Sequence, residues 1–211
     1  SSNAVTTAKI LDANVTTAKI ADANVTLAKL SATGTKNSTT FLRGDNTFNA
    51  PPLGGITVAD QWRLAASKNT SSSQSIISAN LEQIDTAGQG TLGNAMTESS
   101  GVFTFPSTGI YLVISNATYK NVSNNNANYV EVAHLVTTDN SNFVTTSHGY
   151  GYFNSLSATL YNTVTGMDMI DVTNTSNVKI KFAAVSQQNA ALEGASGDTY
   201  TSFTFIRLGD T

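Results

Sequence analysis

Large apolar residues fall five apart at the start of the chain, at Val5, Ile10, Val15, Ile20, Val25 and Leu30. They belong to three consecutive decapeptides, NAVTTAKILD, ANVTTAKIAD and ANVTLAKLSA, from Asn3 to Ala32. Five residues turn an α-helix through about 500°, so this spacing spirals around a helix and alternates faces on a strand. A local reading gives the stride a purpose. With Thr16 as N-cap, Val15 and Ile20 become the two halves of a hydrophobic staple. Thr6 between Val5 and Ile10, and Thr26 between Val25 and Leu30, repeat the arrangement. Each unit is then one short helical turn, and Asp12-Ala13-Asn14 and Asp22-Ala23-Asn24 join successive turns. One turn is not stable alone. Stacking around a three-fold axis with partner chains would bury the six apolar residues and leave Lys9, Lys19 and Lys29 outside.

From about Trp62 the pattern becomes short apolar runs broken by Gly, Asn, Ser and Thr, the signature of an all-β domain. Expected strands are Gln61–Ala65, Ile76–Ile77, Asn80–Ile84, Val102–Phe105, Gly109–Tyr119, Tyr129–Thr137, Ser147–Phe153, Leu156–Val164, Met167–Asn174, Val178–Ser186 and Thr199–Leu208. So many short strands predict a sandwich or jelly roll.

Composition agrees with this division. Charged residues make up 12 % of the 211 residues, and Ser, Thr and Asn stand where Lys and Glu usually would. These side chains compete with helical hydrogen bonds and favour turns and strands. A net charge of −3 leaves no general basic face for nucleic acid. With no cysteine, disulfides and thiolate metal sites are excluded. No apolar run is long enough to span a membrane, and the first residues carry no signal-peptide core. Release by cell lysis is the expected route to the outside.

The repeats resemble the AVTTAKIADG-type repeats of bacteriophage tail fibres. The segment Thr39 to Phe48, followed by Ala50-Pro51-Pro52, is similar to the FLRGDGTW…P stretch that often follows them, with Asn46 and Phe48 where Gly and Trp are commoner. Within it Arg43-Gly44-Asp45 reads as a tight turn, with Gly44 as the permissive residue and Phe41, Leu42 and Phe48 packing it down. Further on, Gly101, Phe103, Pro106, Gly109 and Tyr111 resemble the G-x-F-x-x-P-x-x-G-x-Y segment of C1q-like and tumour-necrosis-factor-like (TNF-like) domains. Ser202-Phe203-Thr204-Phe205-Ile206-Arg207-Leu208 is similar to the closing strand of that family, with Thr204 in place of its usual Gly. Leu160–Asp171 stands where the family has an L-x-x-G-D-x-V corner, with one residue inserted around Gly166-Met167-Asp168.

These resemblances imply a homotrimer: a stalk at 1–40, a connector at 41–60 and a jelly-roll head at 61–211. They imply a virion appendage of a phage. It would be bound to other virion proteins at its N-terminal end and would touch a host surface receptor, expected to be a glycan, with its head. A purely structural spacer and a glycan depolymerase are the rival functions. A cellular C1q-like lectin is disfavoured, since the collagen-like Gly-x-y repeat is missing.

Candidate chemistry is sparse. His134 shares a strand face with Val130, Val132 and Val136 and is expected in the core. His148 shares a face with Tyr150 and Tyr152, but no third ligand has metal-site spacing. Glu82, Asp85, Glu98, Glu131, Asp168, Asp171, Glu193 and Asp198 are the carboxylates from which a glycosidase pair would be drawn. No nucleophile motif or phosphate-binding loop is present, so neither catalysis nor a cofactor is expected. Tyr150 and Tyr152 suit either sugar stacking or the seam of a trimer, and Gly149 and Gly151, which alternate with them, favour the seam. Loops at the distal end are expected to hold the receptor. Candidates are Asn124, Asn125 and Asn126 in Asn121–Asn128, and Ser196 and Asp198 in Gly194–Asp198.

Overall fold

The structure, a computed structural model, describes residues 15–21, 24–51, 55–121, 129–153, 160–188 and 190–211. Contacts divide the chain into two units, Ser1–Gly54 and Gly55–Thr211. Residues 55–60, expected in the connector, therefore belong with the head.

In the first unit, each described repeat makes one 3-10 turn, Thr17–Lys19 and Leu27–Lys29. The turns close by bonds from the Lys19 and Lys29 amides to the Thr16 and Thr26 carbonyls, both 2.9 Å. Val5 and Ile10 lie outside the described residues. Val15, Ile20 and Val25 are exposed on the single chain, and Leu30 is half-buried. A hairpin follows, β1 (Phe41–Leu42) with β2 (Phe48–Asn49). Asp45 caps its turn, with Oδ1 accepting from the Thr47 amide at 3.1 Å and the Thr47 hydroxyl at 2.6 Å. Those bonds hold the Asp45 carboxyl below its ordinary pKa. The left-handed residue is Asn46 (φ 61), not Gly44 as expected. Asn tolerates that region, which explains how it stands where related segments carry Gly. Phe41 and Leu42 stay exposed.

The second unit is an antiparallel sandwich of strands β3 (Ala59–Leu64), β4 (Ala66–Thr70), β5 (Ser75–Ile76), β6 (Leu81–Gln83), β7 (Thr97–Ser99), β8 (Val102–Thr104), β9 (Gly109–Asn121), β10 (Val130–Thr137), β11 (Val144–Gly151), β12 (Tyr161–Val172), β13 (Lys179–Ser186), β14 (Ala190–Ala195) and β15 (Ser202–Gly209). One sheet runs β11-β10-β13-β8-β7, with β5 also on β13. The other runs β4-β14-β9-β15-β3-β6, with β12 along the free side of β9. No α-helix occurs among the described residues.

Strict alternation on β9 builds the interior. Tyr111, Val113, Ser115, Ala117 and Tyr119 point inward, while Ile110, Leu112, Ile114, Asn116, Thr118 and Lys120 remain half-buried. Beside them Phe203 and Phe205 point inward from β15, and Phe103 and Phe182 pack opposite from the other sheet, with Phe182 stacked on Phe203 at 4.2 Å. The Tyr111 hydroxyl reaches Ser107, so the anchor read from the sequence is a buried ring with a satisfied polar tip.

The two strands expected at 156–164 and 167–174 are one continuous β12, paired with β9 from Tyr161↔Lys120 to Val172↔Gly109. Gly166 therefore turns no corner. A Cβ there would stand 2.8 Å from His134 Nε2 and 3.0 Å from Ser115 Oγ, so glycine serves close packing. Strands β4, β7 and β14 were not legible as strands. The head's first residues lie beside the end of β15, where Arg207 donates to the Val58 carbonyl. The end of β9, the start of β10 and the ends of β11 and β13 lie at the opposite, distal end, where Val130 pairs with both Gly151 and Ser186.

Candidate functional site

Two histidine–carboxylate pairs sit on opposite faces of β10. Inward, His134 Nδ1 meets Asp168 Oδ2 at 3.0 Å, and Nε2 meets Ser115 Oγ at 2.7 Å. Thr146 donates to the same Asp168 oxygen at 2.7 Å. With Nδ1 donating to the carboxylate, neutral His134 accepts the Ser115 hydroxyl proton at Nε2. The connectivity is that of a Ser–His–Asp triad. Ser115 and His134, however, have no solvent exposure, and no substrate carbonyl can approach the hydroxyl. Burial holds the His134 pKa below its ordinary 6.5 despite the opposing pull of Asp168. The trio is a polar lock between sheets, and β10 places His134 in the core as its alternation requires.

Outward, His148 Nδ1 meets Glu131 Oε1 at 2.6 Å. The imidazole stacks on Tyr150 with centroids 5.4 Å apart and planes 11° from parallel. Tyr129 meets Tyr150 edge-on at 6.4 Å. The Glu131 side chain is only 11 % exposed, whereas that of His148 is 41 % exposed and Tyr150 is 62 % exposed. Residual desolvation, and after it the charge of Glu131, raises the Tyr150 phenol above its ordinary pKa, so the hydroxyl stays a donor at neutral pH. From beneath, the buried Tyr119 hydroxyl donates to the Glu131 carbonyl and fixes this stretch of β10. The cluster lies near the distal end, next to Gln187, whose amide bonds to the Tyr129 carbonyl at 3.0 Å. Tyr152 follows β11, is also exposed, and accepts from the Asn162 side chain through its carbonyl.

A third feature is the outer face of the larger sheet. Met167 and Met169 are 61 % and 70 % exposed and stand opposite Ile114 and Leu112. Ile206 adjoins Leu112 from the other side. Toward the distal end the same face turns polar, with Thr165 bonded to Asn116 at 2.8 Å and Thr118 to Thr163 at 2.9 Å. The sequence signal was present: β9 is apolar at both parities over Ile110–Ile114, as a strand covered on both sides would be.

Asn124, Asn125 and Asn126 lie outside the described residues, although the flanking Asn121 and Val130 are at the distal end. Ser196 and Asp198 are exposed, in a loop at the side of the sandwich rather than that end. It leaves β14 after Ala195, level with Ala66, and returns by Tyr200, whose carbonyl accepts from Thr118. Most of the candidate carboxylates are engaged. Glu82 and Asp85 hold buried Arg63 at 2.5 and 3.4 Å, and Glu98 accepts from the Gly101 amide. Among the described residues no group of three His, Asp or Glu side chains is placed to hold a metal ion.

No protein-family model matches the sequence, and no curated protein matches it. Solved structures do. Murine APRIL at pH 5.0 is 12 % identical, covering 72 % of this chain and 98 % of its own, with a TM-score of 0.52. Eiger TNF from S. frugiperda is 12 % identical, covering 74 % of this chain and 96 % of its own, with a TM-score of 0.52. Identity this low speaks for fold alone: the head is an all-β jelly-roll sandwich of the TNF-like kind.

Proposed function

We propose that the chain is a homotrimeric appendage of a bacteriophage virion whose jelly-roll head attaches the particle to a receptor on the host surface. The observation that carries this reading is the outer-face apolar band in which exposed Met167 and Met169 stand beside half-buried Leu112, Ile114 and Ile206. Exposed apolar patches of this kind mark interaction surfaces. Val15, Ile20 and Val25 stand uncovered in the repeats of the same chain. Self-association covers both sets at once, and the number three comes from the resemblance to C1q-like and TNF-like domains. In this reading the seam runs over the methionine band, and Tyr150, on the outer face of the other sheet, is left for the receptor. The phage assignment rests on the decapeptide repeats and the segment after them. The inaccessible Ser115 hydroxyl speaks against hydrolysis at the Ser115–His134–Asp168 cluster.

The test is attachment of the labelled 211-residue chain to a panel of bacterial strains, with reducing ends assayed in the supernatant. The expected result is attachment to a subset of strains without sugar release. Attachment to none would favour the spacer, and steady release would favour a depolymerase.

A further inference from the structure

The Tyr129–Glu131–His148–Tyr150 cluster is more elaborate than a structural role requires. Removing the exposed Tyr150 ring would open no cavity, since 62 % of its surface already faces water. Yet the ring is held in a fixed attitude. Tyr129 meets it edge-on, and His148 lies nearly parallel to it. His148 is in turn fixed by its 2.6 Å contact with Glu131. With Nδ1 donating to Glu131, Nε2 is left as an acceptor at the edge of the stack. The Glu131 side chain is only 11 % exposed and is held by His148, while the Tyr119 hydroxyl fixes the Glu131 backbone through its carbonyl. The result is a flat apolar ring face with a phenol donor and an imidazole acceptor at its rim, the imidazole oriented from behind by the carboxylate.

We propose that this cluster is a binding subsite for a neutral pyranose unit of a surface glycan. The inference rests on the receptor-binding reading above and deepens it by naming site and ligand class. A pyranose has one face of C–H bonds and a rim of vicinal hydroxyls. The C–H face lies on Tyr150, and the hydroxyls donate to His148 Nε2, which Glu131 orients, and accept from the Tyr150 phenol. A few convergent polar groups at an aromatic surface are what fix a small ligand's orientation. A cationic ligand fits less well, since His148 already occupies one Glu131 oxygen. An apolar protein partner would need a wider dry patch, whereas polar Gln187 adjoins the cluster, its amide bonded to the Tyr129 carbonyl.

The test uses the full chain and saturation-transfer NMR with a panel of neutral methyl pyranosides and their short oligomers, alongside the attachment assay. The expected result is transfer to the C–H face of at least one sugar. Tyr150→Ala should weaken binding by about tenfold or more, Glu131→Gln should weaken it, and Tyr150→Phe should largely retain it by keeping the stack. Unchanged circular dichroism in Tyr150→Ala keeps folding out of the comparison. No transfer to any sugar, or transfer indifferent to Tyr150→Ala, overturns the subsite. Attachment that persists in Tyr150→Ala and survives periodate treatment of the cells, but not protease treatment, overturns it in favour of a protein receptor and leaves the receptor-binding reading standing. Failure of the wild-type chain to attach to any cell strikes at that reading instead.

Discussion

His134 and His148 each place Nδ1 on a carboxylate, and the two residues lie on adjacent strands of one sheet, yet their situations are opposite. His134 has no exposure, its partner Asp168 comes from the other sheet, and both ring nitrogens are engaged. His148 is 41 % exposed, its partner comes from the neighbouring strand, and its second nitrogen faces the surface. The same pair of groups therefore ties two sheets together in one place and, in the other, holds an exposed aromatic stack, the subsite proposed above. Position on the pleat decides which, since Glu131 and His134 are three apart on β10 and so point to opposite faces.

Breaking the inner pair should have the largest effect. His134→Ala removes a buried ring that packs edge-on against Phe182 and leaves Ser115 and Asp168 without their bonds. We expect a loss of about 2–5 kcal/mol in chemical denaturation. A loss below about 0.5 kcal/mol, the size of an ordinary surface change, would mean the lock is not formed. A gentler break is Gly166→Ala, which pushes a methyl group against His134 Nε2 and Ser115 Oγ. Overpacking of this kind costs about 1–3 kcal/mol, and an unchanged denaturation midpoint would show that the sheets can part there.

Acidity sharpens the comparison with a smaller effect. His134 has a folded pKa below 6.5, so the unfolded chain takes up the proton first. Stability present above pH 6.5 should be lost as pH falls through and below that value, toward the folded pKa. Thermal melts of wild type and His134→Gln across this range check the point. The variant should lack that part of the slope, and identical slopes would place the pH dependence elsewhere.

Much of the fold was legible because alternation is a local signal. β9, β10 and β15 were found almost in full, and His134 was correctly placed inside from its neighbours alone. β4 and β14 were missed because Ala66–Thr70 and Ala190–Ala195 lack the branched and aromatic side chains that mark a strand. β12 was split at Gly166 because glycine in sequence signals a break, and only the packed His134 reveals its other use. The Glu131–His148 pair was hidden for a different reason. It joins residues on separate strands, and the bulge that shifts the β10–β11 register between His134 and Leu135 sets how β11 runs. The histidine was seen with its tyrosines, and the glutamate only as one acid among eight.

Self-association is the centre of the proposed function, in which partner chains cover both the methionine band and the repeat turns. Light scattering of the 211-residue chain at micromolar concentration is the direct measurement. The account predicts a single species of three times the 22.1 kDa chain mass, and a monodisperse 22.1 kDa monomer would contradict it.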